Sequence, residues 1–167
     1  MSPQWQMAQM NLLLDLPSLE TVDDVVRYGQ TYGNSFFNHR RVLDERLILS
    51  KLEALHHDFP DFDLFASEIE DSPLSREETM ILFNGKRLSN ILFWHLRPLL
   101  MTLSLRVDNT LEIGSGMGEM TRYLYMLRKP SNMSLGDLST SLFFAEVFLS
   151  ASFPDERLCY YEGQVDP

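Results

Sequence analysis

Three glycines at alternate positions, Gly114, Gly116 and Gly118, follow directly on the short apolar run Thr110-Leu111-Glu112-Ile113. The run has the length and composition of a strand, and Glu119 to Arg128 has the pattern of a helix. A chain that leaves a strand, turns on three glycines and enters a helix is bringing its backbone close to something. Side chains at those positions would collide with a ligand lying on the turn. The order is acidic-x-Gly-x-Gly-x-Gly, with Glu112 the acid and Ser115 inside the loop.

The same alternation continues downstream. Met133 to Leu135 is a second strand, closed by Gly136 and Asp137. Ser139 to Phe153 is a helix, with Ser139 or Thr140 as its cap, and Leu158 to Tyr161 is a third strand. The expected fold class is α/β. A helical amino-terminal part, 1–105, precedes an incomplete Rossmann-like half-sheet of β-α-β-α-β order in 106–167. In a parallel half-sheet of this kind, Asp137 falls beside the glycine loop. A carboxylate there can accept hydrogen bonds from both hydroxyls of a ribose; its other reading is a cap on the following helix.

The amino-terminal part reads as helical throughout. Thr21 or Asp23 caps a helix that passes through Val25, Val26 and Tyr28, with Gly29 and Gly33 loosening its end. Asn38 to His57 is the clearest amphipathic segment, with an apolar stripe of Val42, Leu43, Leu47, Leu49, Leu52 and Leu55. Phe59 to Phe65 is an aromatic-rich turn or short extended piece. Ser75 and Glu78 fit a capping box, Gly85 is a break, and Leu88 to Leu96 is a strongly apolar helix that Pro98 kinks or restarts. These stripes are expected to be core.

Composition narrows the partners. Hydrophobic residues make up 44% and charged residues 23%, which suits a globular chain. A net charge of -10 opposes general nucleic-acid binding and docking on anionic lipid. One cysteine, Cys159, allows no internal disulfide, and the amino terminus has no secretory pattern, so a cytoplasmic location is expected. The stretch from Ile91 to Leu105, broken by His95, Arg97 and Pro98, is too short and polar to span a membrane. His39, His56, His57 and His95 are expected to be surface or packed helix residues, and no metal-binding spacing is present. Gly114-Ser115-Gly116 is not a nucleophile elbow, because Ile113 stands where that motif needs glycine.

The nucleoside is chosen by the details of the loop. A dinucleotide fingerprint has its third glycine one residue later, where this chain has Glu119. Glu119 and Glu112 are both unfavourable for a pyrophosphate and favourable for a ligand carrying an ammonium and a sulfonium. The electrostatics favour S-adenosylmethionine over NAD.

LEIGSGMGEMTRYL resembles motif I of the class I S-adenosylmethionine-dependent methyltransferases, and GDL resembles the acidic end of their second strand. More narrowly, DLSTSLFFAEVFLSASFPDERL, NHRRVLDERLILSKLE and NGKRLSNILFWHLRPLL are similar to segments of bacterial sugar O-methyltransferases. The resemblance implies that Glu112 helps hold the amino group of the methionine part. It implies that Gly114, Gly116 and Gly118, with Ser115 in the same loop, contact the methionine and ribose. Asp137 would hold the ribose hydroxyls and Leu138 would lie against the adenine. The implied acceptor is a sugar or sugar-containing small molecule, with the helical part as its cap.

The fourth strand of such a core would begin beyond Pro167, so a partial enzyme is expected, with an open edge at its first strand and a tendency to self-association. No catalytic base is nominated. The rivals are an NAD-dependent oxidoreductase and a non-catalytic helical interaction protein with a vestigial half-site.

Overall fold

The computed structural model describes residues 3–32, 45–70, 80–83, 85–102 and 108–159, together with 74, 105 and 106. It opens with helix α1 (Pro3–Asp15), a 3-10 turn over Leu16–Ser18 and helix α2 (Val22–Tyr32). Thr21 starts α2. Its hydroxyl accepts the Asp24 amide at 3.2 Å, while its own N–H and O–H donate to Asp24 Oδ2 at 3.1 and 2.7 Å. This is a reciprocal capping box with aspartate in the acidic role. Of the two expected caps, Thr21 is the one used.

Helix α3 (Glu45–Asp58) covers the second part of the expected amphipathic segment and runs one residue past its end; 38–44 fall outside the described residues. Its buried face is Ile48, Leu52 and Leu55, whereas Leu47 is exposed. The stripe is therefore rotated from the expected one, with Ile48 in place of Leu47. Helix α4 (Phe62–Glu68) corrects the expectation of a turn or extended piece over Phe59 to Phe65. Only the entry is a turn, closed by the Phe62 amide on the Phe59 carbonyl at 3.0 Å. Phe62 is buried, with ring edges against Phe83 and His56. Burying that ring fixes the start of the helix.

A second correction follows. The region is not helical throughout: β1 (Met80–Phe83) and β2 (Lys86–Ser89) pair as an antiparallel hairpin. Gly85, expected as a break, is part of the turn at φ +79. The Asn84-Gly85 pair is a hairpin-turn dipeptide in the sequence. Ser75 and Glu78 fall outside the described residues. Helix α5 (Asn90–Thr102) begins after Ser89 and runs through Pro98 without a restart. Pro98 is exposed while Leu92, Leu96, Leu99 and Leu100 are buried, so the lost backbone hydrogen bond falls toward water.

Strand β3 (Asn109–Ile113), helix α6 (Glu119–Arg128), strand β4 (Asn132–Gly136) and helix α7 (Ser139–Ser152) complete the described order. β3 and β4 pair in parallel, with Leu111 opposite Ser134 and Ile113 opposite Gly136. The chain is thus mixed α/β with a small parallel sheet. The third strand expected over Leu158 to Tyr161 is corrected: Leu158 and Cys159 are in no strand, and Tyr160 and Tyr161 lie outside the described residues. The segment after α7 is tied to α6 instead. Tyr125 donates its hydroxyl to the Glu156 carboxylate and packs its ring edge on Phe153 at 4.8 Å. That carboxylate raises the Tyr125 phenol above its usual pKa.

The expected caps on α7 are also corrected. Leu138 is the residue at the cap, with extended backbone and no side-chain capping hydrogen bond of its own. Thr140 is buried instead.

Two apolar clusters hold these elements together. One joins Ile48, Leu52, Phe62, Leu92, Leu96 and Leu99 to Tyr123 and Leu124 of α6. The other joins Leu12, Val25 and Tyr28 to Met117, Phe144, Phe148 and Leu149. Each draws residues from both sides of residue 105. On the sheet, Thr110, Glu112, Met133 and Leu135 are half-buried. Leu111 and Ile113 alternate with them and are 66% and 83% exposed, as strand periodicity requires when one face is covered and the other is not. Among the described residues, no helix is long and apolar enough to cross a membrane.

Candidate functional site

The end of β3, the start of α6 and the end of β4 meet at the glycine loop. Gly114, Gly116 and Gly118 all have positive φ, at +73, +56 and +80. Side-chain-bearing residues are strained in that region, so the alternate spacing is first a backbone requirement. The Gly114 amide donates to the Gly136 carbonyl at 2.8 Å, carrying the ladder one step past the strands. The Gly118 amide closes the turn on the Ser115 carbonyl at 2.8 Å.

The three glycines separate by what surrounds them. A Cβ at Gly114 or Gly116 would meet nothing within 4 Å. A Cβ at Gly118 would come within 3.0 Å of Leu149 Cδ1 and 3.2 Å of Leu135 Cδ2. Gly114 and Gly116 therefore border open space, as a ligand-facing backbone would. Gly118 instead lets α6 approach α7 and β4.

Asp137 reaches into this loop. Its Oδ2 accepts the Gly116 amide at 2.7 Å and its Oδ1 accepts the Leu138 amide at 2.6 Å. The sheet register makes this possible. Ile113 pairs with Gly136, so the residues just past the two strands emerge side by side. Asp137 and Leu138 are both half-buried.

Glu112 lies on the covered face of β3. Its Oε2 accepts the Thr121 amide at 3.0 Å and the Thr121 hydroxyl at 2.5 Å. A carboxylate at the first turn of α6 is stabilised by the free amides there. Ser115 is 6% exposed, and its Oγ has no hydrogen-bond partner among the described residues. A buried hydroxyl without a partner costs roughly 1–3 kcal/mol. The loop thus gathers Glu112, Ser115, Gly114, Gly116, Asp137 and Leu138, with Gly118 as packing support behind them.

One contact has no sequence signal. His95 Nε2, on α5, lies 3.2 Å from Glu119 Oε2 at the start of α6. The partners stand on different elements, so no local spacing announces them. Their charge balance is also informative. Glu112, Glu119 and Asp137 surround the loop, while the nearby Arg122 guanidinium is buried and directed to the Glu70 carbonyl and Ser152 hydroxyl. The surroundings favour a cationic ligand over a phosphate. His56 is exposed beside Asp63, His57 is exposed beside Asp58, and His39 lies outside the described residues. Among the described residues no cluster of His, Cys, Asp and Glu is arranged to hold a metal ion.

No family model, no curated protein and no solved structure matches this chain.

Proposed function

We propose that this chain binds S-adenosylmethionine at the glycine loop and serves methyl transfer to a sugar hydroxyl. The observation that carries the cofactor half of the reading is the Asp137 carboxylate lying on the Gly116 amide at 2.7 Å. Strand, glycine turn, helix, parallel strand and acid are then assembled around one point. We read β3-α6-β4-α7 as the first part of a Rossmann-like sheet, whose ligands bind at the carboxyl ends of the strands.

The residues present fit the cofactor. The open space beside Gly114 and Gly116 admits a nucleoside against bare backbone. Asp137 already accepts two amides, and its remaining lone pairs suit ribose hydroxyls. Ser115 Oγ, buried in the same loop, has no hydrogen-bond partner among the described residues. Leu138, half-buried at the head of α7, offers an apolar surface to a base. Glu112, fixed through one oxygen by Thr121, keeps a negative charge at the loop. When bound, S-adenosylmethionine supplies a methyl group already activated on sulfonium. What remains for the protein is to orient it and to handle the acceptor's proton. The sugar acceptor rests on the resemblance of the helical segments, and α5, whose His95 meets Glu119, is read as part of its cap.

Calorimetry tests the reading. S-adenosylhomocysteine and S-adenosylmethionine should bind the chain more tightly than NADH. A tighter NADH complex would replace methyl transfer with hydride transfer as the better reading, and no heat with any of the three would leave an interaction protein.

A further inference from the structure

α5 carries a histidine into its contact with α6. The His95 ring lies between Glu119 and Tyr123, one helical turn apart, with its centroid 6.3 Å from the tyrosine ring. The Glu119 side chain is 7% exposed and that of His95 is 31% exposed. A buried carboxylate therefore holds an imidazole that still reaches solvent. His56 and His57 differ, since each meets an exposed aspartate.

The orientation has a chemical consequence. A carboxylate can only accept, so Nε2 must carry the proton that it donates to Glu119. The neutral ring then presents a bare lone pair at Nδ1. A carboxylate behind an imidazole fixes its tautomer and stabilises the cation formed on proton uptake.

The location matters as much. Glu119 directly follows Gly118, so the pair is built at the exit of the glycine loop. α6 packs on α5 through Tyr123 and Leu124, and on α7 through the contact of Gly118 with Leu149. Asp137 stands at the head of α7. The Gly116 amide of the loop is on Asp137, and Glu119, at the exit of the loop, is on His95. A ribose held at Asp137 would lie beside the Gly116 amide, three residues before Glu119 and its histidine.

We propose that His95, oriented by Glu119, is the base that takes the proton of the acceptor hydroxyl. This rests on the methyl-transfer reading. The hydroxyl proton moves to Nδ1 and gives the imidazolium. The electron pair left on oxygen forms the new bond to the methyl carbon. The pair of the broken carbon–sulfur bond stays on sulfur as a neutral thioether, and His95 later returns its proton to water.

The test needs no turnover. The imidazole nitrogens of the full ¹⁵N-labelled chain are followed by NMR, with His95→Gln used to assign the His95 signals. The chain is saturated with S-adenosylhomocysteine and titrated with methyl glycosides of glucose, galactose and rhamnose. Neutral His95 is expected to be protonated at Nε2, and its Nδ1 resonance to shift as a glycoside hydroxyl donates to it. Glu119→Gln, whose amide can also donate, should weaken the tautomer preference and the shift together. Because the decisive titration uses the unsubstituted chain, a variant that fails to fold does not obscure it. A ring protonated at Nδ1, or an Nδ1 signal that no glycoside moves, overturns the base and leaves the cofactor reading standing. Failure of S-adenosylhomocysteine to bind overturns both.

Discussion

At Gly118 an added methyl group has no room, and at Gly114 and Gly116 it has space but a forbidden backbone. The difference is measurable. Gly114→Ala should lose about 1–2 kcal/mol from its left-handed conformation alone. Gly118→Ala adds an overpacking cost of about 1–3 kcal/mol against Leu149 and Leu135. Urea midpoints should therefore rank Gly118→Ala as the less stable variant, and equal midpoints would remove the packing role. For Asp137→Ala, the prediction concerns binding. Hydrogen bonds to a charged group contribute about 1.5–3 kcal/mol, so the affinity for S-adenosylhomocysteine should fall roughly tenfold to a hundredfold. An unchanged dissociation constant would reduce Asp137 to a brace for the loop amides. The positions of these residues were legible in the sequence, because positive-φ glycines and a strand-end acid leave a local pattern. Their division of labour was not. Leu149, which tells Gly118 from its neighbours, comes from the far helix, and the same holds for His95 and Glu119.

The elements around the loop follow from local rules, and so does the cap on α2. Thr21→Ala should destabilise the chain by about 1 kcal/mol. The pH dependence has a definite sign. The Thr21 hydroxyl, first among several partners, holds the Asp24 carboxyl below its ordinary value of 3.8. A carboxyl depressed in the folded state stabilises above its unfolded pKa and loses that contribution as pH falls through the folded one. The deficit of Thr21→Ala, measured by urea unfolding, should be full near neutral pH and shrink in acid below about pH 4. A deficit independent of pH would mean that Asp24 takes no part in the cap. β3, α6, β4 and α7 were readable because strand length, glycine and helical period agree there. The β1-β2 hairpin was missed although Asn84-Gly85 is a hairpin-turn pair in the sequence: Gly85 taken alone reads only as a break, and the continuous apolar run from Met80 to Phe83 is not assigned to strand or helix by periodicity alone. The absent strand at Leu158 and Cys159 has another cause. Side-chain contacts of Tyr125 with Glu156 and Phe153 hold that segment on α6, and hydropathy does not register them.

Taken as one body, the chain is joined by two clusters that each cross residue 105. Unfolding should therefore be a single transition, with far- and near-ultraviolet circular dichroism coinciding; two separated transitions would show independent halves. Phe144 is the sharpest probe. It is 1% exposed and stacks on Tyr28 at 6.4 Å. Phe144→Ala should cost about 3–5 kcal/mol in chemical denaturation, and a loss below about 1 kcal/mol would mean that this cluster is not structural. The pairing of Tyr28 with Phe144 also sets a timetable. During synthesis α2 emerges long before α7 exists. At about 5–20 residues per second, Leu12, Val25 and Tyr28 wait on the order of ten seconds for the ring that will cover them. The nascent chain spends that interval with the apolar side chains of its first helices uncovered, the condition in which aggregation competes with folding.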